Sequence, residues 1–195
     1  GGTRRHSLFD RQATGGRSVA RALVYCTGIP QGVLSQIPRL FQVFSTVGTE
    51  PVQHVDQSDR YVKRIGIVIA MQAEARCLAR QHFQLHQPIV IREKLMVTLC
   101  GMGAQAARRA AAELADQHGV VALISFGVAG ALNARLHSGD LVVPASVIAD
   151  QIYPADSRLR ATFLHHLSGE MNVIEGVLAA SQRVLTSEQE KLALA

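Results

Sequence analysis

The sequence predicts an α/β fold: a three-layer α/β/α sandwich around a central, mostly parallel (mixed) sheet. Three observations carry that prediction. Short continuous apolar runs, RIGIVIA at 64–70 and VVALISFG at 120–127 among them, read as strands buried on both faces. Segments of helical composition alternate with them, as in βαβ units. The composition is 48% hydrophobic but only 5% aromatic, with no tryptophan, so the core is built from Val, Ile, Leu and Ala.

Residues 1–62 precede this pattern and differ from it. They start Gly/Arg/Ser-rich and acid-poor, hold one weak apolar stretch at 33–44 interrupted by Pro38, and end polar and aperiodic. They read as a poorly ordered leader with at most one short helix, as a transit peptide, or as an upstream extension. Residues 63–195 read as the folded domain.

Within the domain, 64–70 is the first strand and 71–81 has helical composition. The next strand, 94–101, ends in Gly101. Residues 104–119 are rich in strong helix formers and close on Gly119. The strand at 120–127 follows, then one at 140–149. Residues 157–167 are amphipathic and helical, and 173–181 is a fifth strand. Ser187 with Glu190 three residues on is a capping box that opens the last helix.

Charge and cysteines limit the function classes. The net charge is +5, but the arginines are scattered, so no nucleic-acid tract is expected. Cys26, Cys77 and Cys100 are odd in number and far apart, which excludes a disulfide framework or a zinc pattern. Cys77 and Cys100 read as small core hydrophobes, and a reducing cytoplasm is the expected setting. No apolar run reaches the length of a membrane span, so no stable membrane insertion is expected. His82 and His86 have metal-ligand spacing without a third ligand; His137 falls in a predicted turn; His165 and His166 diverge on a helix. None marks a metal site.

CGMGAQA, at 100–106, fits the G-x-G-x-x-G/A fingerprint of dinucleotide sites between strand and helix. The confirming acid after the next strand is missing, which favours a tight turn whose glycines allow close packing. A nicotinamide-dependent oxidoreductase is therefore the rival of a different class.

IGIVIAMQAEA (65–75), CGMGAQAA (100–107) and LISFGVAGALNARLHSGDLVVPASVIADQ (123–151) occur in the order and spacing of a known family. Together they resemble the purine nucleoside phosphorylase and methylthioadenosine/adenosylhomocysteine nucleosidase superfamily. VIEGVLAASQRVLTSEQEKLAL is similar to the family strand and capped helix that follow. The wording SFGVAG and AEAR looks closest to the hopanoid-associated phosphorylases.

The resemblance implies cleavage of the N-glycosidic bond of an adenine-type nucleoside, by phosphorolysis or hydrolysis. The substrate would be a small nucleoside or an adenosylated hopanoid lipid. No cofactor is implied beyond inorganic phosphate as a co-substrate, and a homo-oligomer is expected. Glu74 matches the family acid that activates water; a first-turn helix acid favoured by the dipole is its purely structural alternative. Gly127, Val128, Ala129 and Gly130 match the turn that faces substrate or phosphate, with Arg76 as a further source of positive charge. Val128 stands where many members place serine, and Ala131 where they place glycine. Asp140 reads as a structural turn residue. The family's ribose-binding Met-Glu motif and base-protonating Asp fall beyond the segment matched here; Glu170-Met171 is the wrong order and too early, and Gln182 replaces a position that is often acidic. The expectation is thus a C-terminally incomplete domain, 64–195 being marginally stable or oligomeric alone, with a non-catalytic nucleoside-binding module or inactive fragment as the alternative.

Overall fold

The computed structural model describes residues 20–26, 64–92, 94–167, 172–181 and 185–193. The domain is a mixed sheet sandwiched between helices. Its strands are β1 (Ala20–Cys26), β2 (Ile65–Ile69), β3 (Ile89–Arg92), β4 (Leu95–Leu99), β5 (Ala122–Val128), β6 (Leu141–Val142), β7 (Ser146–Ile148), β8 (Ile152–Pro154), β9 (Val173–Ile174) and β10 (Val177–Ala179). The helices are α1 (Gln72–Leu78), α2 (Ala104–Asp116), α3 (Ser157–Leu167) and α4 (Glu188–Leu192).

Seven strands form the main sheet in the order β3-β4-β2-β5-β1-β6-β9. β4, β2, β5 and β1 run parallel, and β3 and β6 pair antiparallel to β4 and β1. Every residue of β2 and of β4 is buried, as unbroken apolar runs predict.

Two helical layers cover the faces. On one, α2 lays Ala110 and Leu114 over Val68, Met96, Cys100 and Val120. On the other, α1 and α3 bring Ala75, Leu78, Leu159, Phe163 and Leu167 onto Ile67, Ile69, Val97, Ile124 and Leu141. Contact with α2 is close: a Cβ on Gly66 would lie 3.0 Å from both Leu114 Cδ1 and Leu123 Cδ2.

The structure departs from the sequence reading at several elements. Ala20–Cys26, inside the expected leader, is a strand, paired along its whole length with β5 and antiparallel to β6. The apolar stretch at 33–44 lies outside the described residues. The strand expected at 140–149 bends between β6 and β7 at Pro144, which has no N–H for the ladder. The one expected at 173–181 breaks at Gly176 between β9 and β10.

These two bent strands stay side by side across the break. Val143 N–H donates to the Ile174 carbonyl at 3.0 Å and Ala145 N–H to that of Gly176 at 2.8 Å. They leave the main sheet together and join β8 in a second sheet, β10-β7-β8. Arg160 braces the break, donating from Nε to the Val143 carbonyl at 3.3 Å and pairing with Glu175. β3 and β8 were not expected, being short and partly exposed.

Ser187 caps α4 as predicted, its Oγ accepting from Glu190 N–H at 3.2 Å. Helix α2 ends at Asp116, and the left-handed residue Gly119 (φ 60°) turns the chain after it.

Candidate functional site

The parallel strands β2, β4 and β5 end at one edge of the sheet, where open α/β folds bind ligands. Their registers bring Ile69, Leu99 and Phe126 level there. β1 runs the same way and sets Cys26 beside Val128, while β6 starts from this edge with Leu141 opposite Cys26. Four connections crowd the edge: Ala70-Met71, Gly101–Gly103, Val128–Gly130 and the approach to Asp140.

Glu74 holds the centre. It sits in the first turn of α1 and is 4% exposed. Oε2 accepts the Met71 N–H at 2.9 Å, the backward half of a capping box. Oε1 accepts the Val128 N–H at 2.9 Å, fifty-four residues away in sequence. One carboxylate therefore ties the start of α1 to the end of β5, and each oxygen keeps a second lone-pair direction.

Gly127 is what lets the carboxylate approach. A Cβ there would stand 2.8 Å from Glu74 Oε1 and 3.2 Å from its Cδ. Of the expected site residues, Glu74, Gly127 and Val128 meet directly, and Ala129 and Gly130 continue the same turn, Gly130 exposed. Arg76 is not with them. Two residues on from Glu74 it turns about 200° around the helix and is exposed on the outer face. The Val128 main chain matters most here, and a backbone N–H has no signature in sequence.

The glycines of CGMG serve conformation. Gly101 and Gly103 have φ of 81° and 103°, and Gly103 caps α2. That is the region glycine adopts at little cost. Leu85 and His86 also reach this edge, through the Leu85–Leu99 bridge and a 2.8 Å bond from His86 N–H to the Leu99 carbonyl.

Asp140 is structural, as expected. Oδ2 accepts the His137 N–H at 2.7 Å and Oδ1 the Asn172 side-chain amide at 2.6 Å. These bonds hold its carboxyl below the usual aspartate range, the one from His137 first. Burial pushes the Cys77 and Cys100 thiols up, with the Glu74 charge adding to the effect. A thiol so placed is a poor nucleophile at neutral pH. Among the described residues no group of three or more His, Cys, Asp or Glu side chains could hold a metal ion. Among them, too, no helix is long and apolar enough to cross a membrane.

Comparison with known proteins agrees with the fold. The fold is similar to the crystal structure of a candidate methylthioadenosine nucleosidase from Weissella paramesenteroides, with a TM-score of 0.54, 19% identity, and coverage of 69% of this chain and 71% of that one. No curated protein matched. Residues 64–195 match the family model of the phosphorylase superfamily, and the chain belongs to that superfamily of nucleoside phosphorylases and nucleosidases.

Proposed function

We propose that this domain cleaves the N-glycosidic bond of an adenine-type nucleoside at the edge centred on Glu74. The observation that carries the reading is the placement of Glu74. It is a buried carboxylate at the carboxyl edge of the parallel strands, held in one orientation by two backbone N–H groups and packed against glycine. Breaking the bond develops positive charge on the ribose, which a fixed anion stabilises.

In hydrolysis, Glu74 accepts a proton from water as the water oxygen bonds to the anomeric carbon. The C–N bond breaks as the leaving base takes a proton from solvent water onto its ring nitrogen, and Glu74 afterwards returns its own proton to solvent. In phosphorolysis, a phosphate oxygen makes the same attack and yields a sugar phosphate. An anionic phosphate needs no base to deprotonate it. The 127–130 turn, whose Val128 N–H is given to Glu74, borders the place this reading assigns to such a nucleophile.

The test is purine release from a panel of adenosine derivatives, with and without phosphate. Adenosylated hopanoid forms a separate arm, because its support is the wording of SFGVAG and AEAR alone. No release from any of them would overturn the proposal. Glu74→Gln should abolish hydrolysis, and unchanged turnover would remove Glu74 from the chemistry.

A second reading rests on the same residue. Both oxygens of Glu74 are engaged by backbone N–H groups, as suits a structural clamp in a non-catalytic nucleoside-binding module. Calorimetry with adenine and adenosine separates the two: saturable binding without turnover supports the module, and turnover by this chain excludes it.

A further inference from the structure

Glu74 faces inward from α1, and the opposite face of that helix has a different character. After Ala79 the chain reverses and runs back along the helix. In the orientation that satisfies both of its atoms, the Gln72 side-chain amide donates to the Phe83 carbonyl at 2.9 Å and accepts the Phe83 N–H at 3.1 Å. Phe83, 1% exposed, anchors the returning segment in the core. Between the helix and the return lies an open groove of about 350 Å³ lined by Arg76, Arg80, Gln81 and His82.

Two guanidinium groups and an imidazole line this groove, and among the described residues no carboxylate does. Arg76 and Arg80 are four residues apart and repel, and Gln72, four residues before Arg76, brings no acid to relieve them. Arginine presents a planar fork of donors that fits phosphate oxygens in pairs. The Gln81 amide adds neutral donors. Two cations beside an imidazole complement a multiply charged anion better than a lone carboxylate.

We propose that this groove binds a phosphate group: inorganic phosphate, diphosphate or a phosphate monoester. It lies on the far side of α1 from Glu74, so the phosphate bound here is not the attacking nucleophile of the glycosidic reaction, and the site stands whether or not that reaction occurs. Binding would fix the return segment against α1 and thereby the entry to the helix that carries Glu74.

Calorimetry on the full chain with phosphate, diphosphate and glycerol phosphate, at constant ionic strength set with chloride, tests this. Saturable binding is expected, weakened on the order of tenfold or more in the Arg76→Ala/Arg80→Ala double variant. Both side chains are exposed, so the variant should melt as the parent does. Glu74→Gln should bind within about twofold of the parent, which separates this site from the proposed catalytic one. Binding of glycerol phosphate as tight as that of phosphate assigns a monoester, and binding of the free anions alone assigns those. No saturable binding, or equal binding by the double variant, overturns the proposal.

Discussion

The Glu74 carboxylate and the Val128 backbone N–H, 2.9 Å apart, join the first helix of the domain to the tip of its central strand. The carboxylate is buried and lies against a glycine, so the geometry leaves little tolerance on either side.

Gly127→Ala tests that tolerance from the strand. The new methyl would meet Glu74 Oε1 at 2.8 Å, closer than real Cβ contacts come. The carboxylate must move and release Val128. A loss of about 1–3 kcal/mol is expected from overpacking, read by denaturant melts, together with loss of turnover. A variant that keeps both full stability and full activity would contradict the arrangement.

Glu74→Gln tests it from the helix. Both oxygens accept from N–H groups, so the amide must turn its NH2 toward one of them. The resulting donor-to-donor contact should cost about 1–3 kcal/mol. Activity is to be measured well below the variant's melting temperature, so that a fall in rate is not a fall in folded protein.

Thr98 offers a change in the opposite direction. It is fully buried in β4, and its hydroxyl has no hydrogen-bond partner among the described residues. Thr98→Val keeps the shape and removes the orphan oxygen. A gain of about 1 kcal/mol is expected from the relieved desolvation, seen as a higher Tm. A loss of stability would mean that the hydroxyl is satisfied in solution.

Asp140 sets a pH dependence. Its folded-state pKa lies below the ordinary value because His137 N–H and Asn172 donate to the ionised form. A depressed carboxyl contributes stability that is present above the ordinary aspartate range and lost as pH falls through the folded pKa. Melts of the parent and of Asp140→Ala should therefore differ at pH 6 and converge below about pH 4. A constant gap down to the lowest pH would remove the ionised form from the account.

The parts of this design that sequence makes legible are those that need a run of like residues. IGIVI and LMVTL could be read because strands buried on both faces are almost wholly apolar, Thr98 being the one polar side chain in the two. AQAARRAAAELAD could be read because nearly every position favours a helix. The α1 acid was legible as Glu74 by resemblance, but its Val128 partner was not, since any residue carries that N–H. QHFQLHQ reads as polar surface, yet Phe83 within it is buried and Leu85 bridges to Leu99; a single anchoring side chain leaves no period. ARALVYC was missed for a related reason. It is a short run among glycines and arginines, and what makes it a strand is the place waiting for it between β5 and β6.

That place has a kinetic consequence. β2, β4 and β5 are close in sequence and can assemble early, whereas Ala20 pairs with Ala122, 102 residues further on. Closing so long a loop is slow, and folding rate falls as contacts become less local. Until β1 arrives, β5 and β6 each present an open ladder of N–H and C=O groups, the kind of edge that recruits strands from other chains. Refolding should thus show a fast phase that buries the β2-β4-β5 core and a slower one that depends on protein concentration, with aggregation competing against insertion of the N-terminal strand.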